Sequence, residues 1–188
     1  MREYNATVYY ARMPRIRRIE NFDRIFFVTT NVLPTARPFN ESERDIILQM
    51  LASSREQSRY ALAGYVVMPD HLHLLLVPGH RGLAADMQRI KRWSQHKISI
   101  ARGNTIPLWQ RRYFDHIIRR VRDFWEKLEY IHNNPVAAGF VSEPKDWRWS
   151  SYNAYRKDTA SIIPADNLDL PTRGEALLWP ARYKRPGE

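Results

Sequence analysis

Apolar positions recur along this chain with two periods, every second residue in some segments and every third or fourth in others, and the switches between them predict the elements. RIFFVTTNV, dense in β-branched and aromatic residues, reads as a first strand from Arg24 to Thr30, closed by a loop with Pro34 and Pro38. NESERDIILQMLASSREQ follows, with Asn40 or Ser42 as a helix cap and Ile46, Ile47, Met50 and Leu51 at helical spacing. YALAGYVVM and HLHLLLV are separated only by Pro69 and Asp70, too little chain for a crossover helix, so they pair as an antiparallel hairpin. GLAADMQRIKRWSQHKISIAR is a second helix, with Leu83, Met87, Ile90 and Trp93 or Ser94 on one stripe and Gly103 as its stop. LWQRRYFDHIIRR alternates imperfectly, as one or two strands with a kink. VRDFWEKLEYIHNN is a third helix whose apolar face is Val121, Phe124, Leu128 and Ile131, limited by Pro135.

Strand, helix, strand, strand, helix, strand and a further helix is the order of a ferredoxin-like, split βαβ protein of the α+β class, an antiparallel sheet with helices on one face. The additional helix carries Tyr130, and an irregular C-terminal extension follows. The expected division is a basic arm over residues 1–20, a main domain over 21–141 and the extension over 142–188. In the extension DWRWSSYNAYR is aromatic and polar, with Trp147 and Trp149 as anchors, and a loosely ordered tail is expected after it.

Composition narrows the chemistry. With no cysteine among 188 residues, disulfides and thiolate metal sites are excluded, so a metal would need His, carboxylate or amide ligands. No apolar run approaches the length that spans a bilayer and the start lacks the apolar core of a signal peptide, so a cytoplasmic location is expected. Thirty Lys and Arg against twenty Asp and Glu give a formal charge of +10, which favours a polyanionic partner. The charge is clustered at Arg12, Arg15, Arg17 and Arg18, at Arg89, Lys91 and Arg92, and at Arg111, Arg112, Arg119, Arg120 and Arg122, with Trp93, Trp109, Tyr113, Phe114 and Trp125 interleaved. Guanidinium forks suit phosphate and flat rings suit unpaired bases.

Within HLHLLLV, alternation turns His71 and His73 to one face and Leu72, Leu74 and Leu76 to the other. Neutral imidazoles so placed can close on one metal ion. Two polar residues on the solvated face of a half-buried sheet give the same pattern. In LEYIHNNPVAAGFV, Tyr130 and Asn134 are one helical turn apart and point away from the Phe124 and Leu128 stripe. A phenolate is a competent nucleophile toward phosphorus, and Lys127 is a cation one turn earlier. A tyrosine packed at the helix edge and an Asn capping the turn beside Pro135 give the same spacing.

Four segments in order, MPDHLHLLL, WQRRYFDHIIR, YIHNNPVAAGFV and WRWSSY, resemble the REP-associated tyrosine transposases, relatives of the single-tyrosine insertion-sequence transposases in the HUH nuclease superfamily. HUH denotes His, a hydrophobic residue and His, here His71, Leu72 and His73. The resemblance implies that residues 21–141 are the catalytic domain, that His71 and His73 hold Mg²⁺ or Mn²⁺, and that Tyr130 is the nucleophile. Asn134 would complete the metal site, at a position where related enzymes often carry Gln. It further implies a single-stranded DNA endonuclease and strand transferase acting on REP-type palindromic hairpins through a covalent 5′-phosphotyrosine, a monomer of the nucleoid. Arg12, Arg15, Arg17, Arg18, Arg111, Arg112, Trp109 and Lys127 would contact DNA. The rival readings are a non-catalytic nucleic-acid-binding module of the same fold and a metal-dependent hydrolase that activates water. Among other candidates, Tyr113 reads as structural or DNA-contacting, His116 as an accessory group, His132 as turned away from Tyr130, and Asp70 as a turn residue.

Overall fold

The computed structural model describes residues 16–18, 24–105, 107–156 and 161–170. In chain order the elements are β1 (Ile16–Arg18), β2 (Phe26–Asn31), α1 (Glu41–Ser58), β3 (Ala61–Val67), β4 (His71–Val77), α2 (Gly82–Arg102), β5 (Phe114–Ile117), α3 (Val121–Ala137) and β6 (Asn167–Asp169). Strands β2 to β5 form one antiparallel sheet in the spatial order β3, β4, β2, β5, while β1 and β6 pair in parallel as a separate ribbon. From β2 to α3 this is the expected split βαβ order. The two central strands, β2 and β4, each open a different βαβ unit, and each crossover through α1 or α2 skips one strand.

Local chemistry sets the helix ends. Asn40 caps α1 by accepting from the Glu43 backbone N–H, and Glu43 reaches back to the Asn40 N–H, which completes a capping box. The buried stripe of α1 is Ile47, Leu48 and Leu51, with Ile46 only partly buried. Gly103 ends α2 with φ 66°, the left-handed geometry that favours glycine. Ser94 rather than Trp93 completes the α2 stripe, because its hydroxyl is satisfied by the Ile90 carbonyl at 2.7 Å and accepts from the Trp109 indole at 2.9 Å. Pro135 does not stop the last helix. It lies inside α3, where a missing N–H near the end forfeits a single helical bond, and the stop is supplied by Gly139 at φ 75°.

The register decides which side chains share a face. Thr29 lies opposite His73 on one side and Phe114 on the other, and Phe27 lies opposite Leu75 and His116. Val66 and Gly64 of β3 continue these rows. α3 crosses this face over β3 and β4, and it does so closely: a Cβ on Gly64 would sit 2.6 Å from Leu128 Cδ1 and 3.5 Å from Ile131 Cδ1. α1 and α2 pack together over the opposite face, where Leu72, Leu74 and Leu76 are fully buried.

The extension is fastened to the β3 edge. The Arg44 guanidinium lies 3.9 Å from the centre of the Trp149 ring and 5.0 Å from that of Trp147, and the two indoles donate to Asp45 and to the Val67 carbonyl. Further on, Asp166 accepts from the Leu62 N–H and from Arg55. Residues 171–188, where the loose tail is expected, lie outside the described residues.

Candidate active site

Alternation along β4 puts His71 and His73 on one face, as the pattern predicts, but that face is not a solvated one. α3 covers it, and His73 keeps only 4% of its exposure while His71 is half-buried. The rings meet edge to face with centroids 4.6 Å apart. Each has a partner on the same nitrogen. His71 Nδ1 donates to Asp70 Oδ1 at 2.7 Å, and His73 Nδ1 lies 2.8 Å from the Thr29 hydroxyl, directly across the β2–β4 ladder. Holding Nδ1 in this way fixes ring orientation and turns Nε2 outward, the arrangement of histidines prepared for a cation.

Burial, with the neighbouring His71 and the Lys127 ammonium adding to it, pushes the His73 imidazole down to about 3. At neutral pH it is therefore an uncharged ring with an available lone pair. Phe27 stacks against it at 5.4 Å and 23° between planes.

α3 brings the other half. The Tyr130 ring packs edge-on to His73 at 5.2 Å and to Phe27 at 5.9 Å, yet the residue is 49% exposed. One turn later Asn134 Nδ2 lies 3.4 Å from His73 Nε2. The two ends of an amide exchange by a half-turn about its last bond, so the same position presents Oδ1 to whatever Nε2 faces. Lys127 Nζ stands 5.0 Å from the centre of the Phe27 ring and 5.9 Å from that of Tyr130. Among the described residues no group of three or more His, Cys, Asp or Glu side chains is arranged to hold a metal, so a cation here would combine the two imidazoles with amide, phenol or phosphate oxygen. The donor set fits such an ion: two oriented nitrogens, one of them neutral by burial, and a movable amide.

His71, His73, Tyr130, Asn134 and Lys127 thus converge. Trp109 does not join them. It is buried, packed against Phe39 at 5.3 Å and bonded to Ser94, so it has no free face for a base; the correction follows from the Val32–Trp109 bridge that draws the segment into the core. Arg111 and Arg112 are exposed just before β5. Arg12 and Arg15 lie outside the described residues, and Arg17 and Arg18 belong to the β1 backbone. Tyr113 is partly buried against the core. His132 points away from Tyr130, as expected, and is buried between Tyr152 and Tyr155 with its Nε2 2.8 Å from the Ser151 hydroxyl.

Sequence reading missed Thr29 and Phe27 and placed Asp70 in the turn without its bond to His71. Asp70 was legible as a neighbour of the His pair. Thr29 and Phe27 become visible only once the pairing of β2 with β4 is known.

Fold and site together define a class: a split βαβ protein whose central strand carries a histidine pair beneath a helix-borne, half-exposed tyrosine. No family model matches the chain. It is 33% identical over 123 residues, 58% of this chain and 69% of the relative, to a REP-associated tyrosine transposase of Haemophilus influenzae. It is 23% identical over 143 residues, 75% of this chain and 82% of the relative, to the REP-associated tyrosine transposase of Escherichia coli K12. A solved structure of a REP-associated tyrosine transposase bound to a REP hairpin has a similar fold, with TM-score 0.63 and 23% identity over 87% of this chain and 98% of that one. The chain belongs to the REP-associated tyrosine transposase family. Among the described residues no helix is long and apolar enough to cross a membrane.

Proposed function

We propose that residues 21–141 form an HUH-type catalytic domain that cuts and rejoins single-stranded DNA at REP-type palindromic hairpins through a covalent 5′-phosphotyrosine at Tyr130. The observation that carries the reading is the approach of a half-exposed Tyr130 to the oriented, neutral His73, with centroids 5.2 Å apart. The REP hairpin in the similar structure and the exposed arginines on this chain support the choice of substrate.

In the forward step Tyr130 Oη attacks the scissile phosphorus, the bond from phosphorus to the 3′ oxygen breaks, and the 5′ phosphate stays on the tyrosine. The phenol proton leaves to solvent at the exposed edge of the ring, and the departing 3′ oxygen takes one up. Lys127 offsets the negative charge that develops on the phenol oxygen. One phosphodiester replaces another, so the free 3′-OH can reverse the step and join strands without a nucleotide cofactor. His71 and His73 through Nε2, with Asn134 through Oδ1, would hold Mg²⁺ or Mn²⁺, the imidazoles favouring Mn²⁺. When bound, the cation supplies Lewis-acid stabilisation of charge on the phosphate. Asp70, which can only accept, keeps the His71 proton on Nδ1, and Thr29 holds the orientation of the His73 ring.

The test is to incubate the full chain with a labelled single-stranded palindrome and Mn²⁺ and to run the products on a denaturing gel. A protein–DNA adduct that disappears in Tyr130→Phe supports the reading. Cleavage that persists in Tyr130→Phe points to a water-activating hydrolase, and binding without cleavage by the unaltered protein points to a binding module.

A further inference from the structure

Phe114 is 60% exposed, a large apolar ring on the edge strand β5, whose one partner in the sheet is β2. Its place in the sheet gives that exposure a direction. Thr29 is the ladder partner of both Phe114 and His73, so the three side chains form one row on the same face, with Thr29 in the middle. Adjacent strands are about 4.8 Å apart, which puts Phe114 about 10 Å from the histidine pair. His116, on the same face and exposed, lies in the next row opposite Phe27, which itself touches Tyr130. Among the described residues α3 covers β3 and β4 and leaves the β5 side of this face open beside Tyr130.

Charge identifies what would lie there. Arg111 and Arg112 precede β5, and Arg119 and Arg120 follow it; all four are exposed. The one carboxylate of the strand, Asp115, pairs with Val28 and so faces the other side of the sheet. A flat apolar ring bracketed by guanidinium groups matches an unpaired base on a phosphate backbone.

We infer that Phe114 is a stacking platform for an unpaired base adjoining the scissile phosphate, and that it leads the single strand across β5 to Tyr130. The inference rests on the strand-cleavage reading and adds the route of the strand. Phe114 is a positioning residue, since it holds the base and not the reacting atoms.

The test compares a hairpin carrying a single-stranded flank with the same hairpin cut flush, bound to the full chain in the Tyr130→Phe background so that cleavage does not intrude. Phe114→Ala should weaken binding of the flanked hairpin about 5- to 150-fold, the range for loss of one base–aromatic stack, and leave the flush hairpin within twofold. Phe114→Trp should restore binding, and 2-aminopurine in the flank should lose less fluorescence on the Ala variant. Equal weakening on both DNAs, no weakening on either, or a change in self-association measured by sedimentation instead of a change in DNA affinity would overturn the platform. Because Phe114 is exposed, the thermal transition of the Ala variant should stay unchanged. Adduct formation by the unaltered protein is scored separately: its absence defeats the catalytic reading, while the ratio of the two affinities decides the platform.

Discussion

His132 provides a measurable link between burial and acid stability. It is enclosed by Tyr152 and Tyr155, and burial pushes its imidazole down to about 3. In the unfolded chain a histidine titrates near 6.5, so between about pH 6.5 and 3 the unfolded state binds a proton that the folded state refuses. Stability from this residue is therefore present above about pH 6.5 and lost as pH falls through that window. At pH 5 the unfolded imidazole is about thirty times more often protonated than not, which lowers folding stability by about 2 kcal/mol relative to pH 7.5. The size depends only on the folded value lying well below 5. With a urea slope of about 2 kcal/mol per molar, the unfolding midpoint should fall by about 1 M for this residue alone. The assay is urea unfolding at pH 7.5 and 5.0 of the native chain and of His132→Gln, whose amide can still reach the Ser151 hydroxyl. The variant should lose about 2 kcal/mol less over the interval. An identical drop in both proteins would refute the reasoning. Should the variant fold poorly, a proton NMR titration of His132 in the native chain decides instead: a ring resonance that moves between pH 7 and 5 is incompatible with a buried neutral imidazole.

Two further outcomes follow from the packing around the site. Thr29→Val removes the partner of His73 Nδ1 while keeping the shape of the side chain, and should weaken Mn²⁺ binding about 10- to 100-fold by calorimetry and lower folding stability by about 1–3 kcal/mol, because a buried ring nitrogen is left unpaired; unchanged affinity would show that the hydroxyl does not orient the ring. Gly64→Ala drives a methyl to 2.6 Å from Leu128 Cδ1 and should cost about 1–3 kcal/mol in denaturant unfolding, with a fall in adduct yield because the fully buried Leu128 must re-seat on the helix that carries Tyr130.

The parts of this molecule that were readable from sequence are those decided within a few residues. The Asn40 cap, the Gly103 stop, the hairpin at Pro69–Asp70 and the alternation of β4 each depend on local sterics and on the two side-chain periods. The His pair and Tyr130 belong to this group, since each is one strand or one helical turn of pattern. What was not readable depends on pairing across the sheet. Thr29 is 44 residues from His73 in sequence, and nothing near either residue announces the bond. Trp109 looked available because aromatic residues among arginines suit stacking, but the interior hydroxyl of Ser94 on α2 took its indole N–H. Pro135 was read by its usual effect inside a helix, which is weaker at the final turn.

The solvated face that alternation equally allowed beneath the histidines is the most instructive of these points, because its physical consequence bears on chemistry. Alternation states that His71 and His73 share a face; it is silent on what lies above that face. All but the first residue of β4 is buried, so this strand is covered on both sides, by the α1–α2 layer and by α3. Had the face been wet, His73 would titrate near the ordinary histidine value and a large share of the rings would be protonated in mildly acidic conditions. Under α3 the ring is held neutral through that range, and the same contact sets Tyr130 beside it. Desolvating a lone imidazole is costly, and here the Thr29 hydrogen bond and the Phe27 stack offset it while leaving Nε2 uncommitted to any residue of the sheet. The close seat over Gly64 is therefore both a packing contact and part of the cover that keeps the His73 ring neutral, which is why a single methyl at that position is expected to disturb the site from outside it.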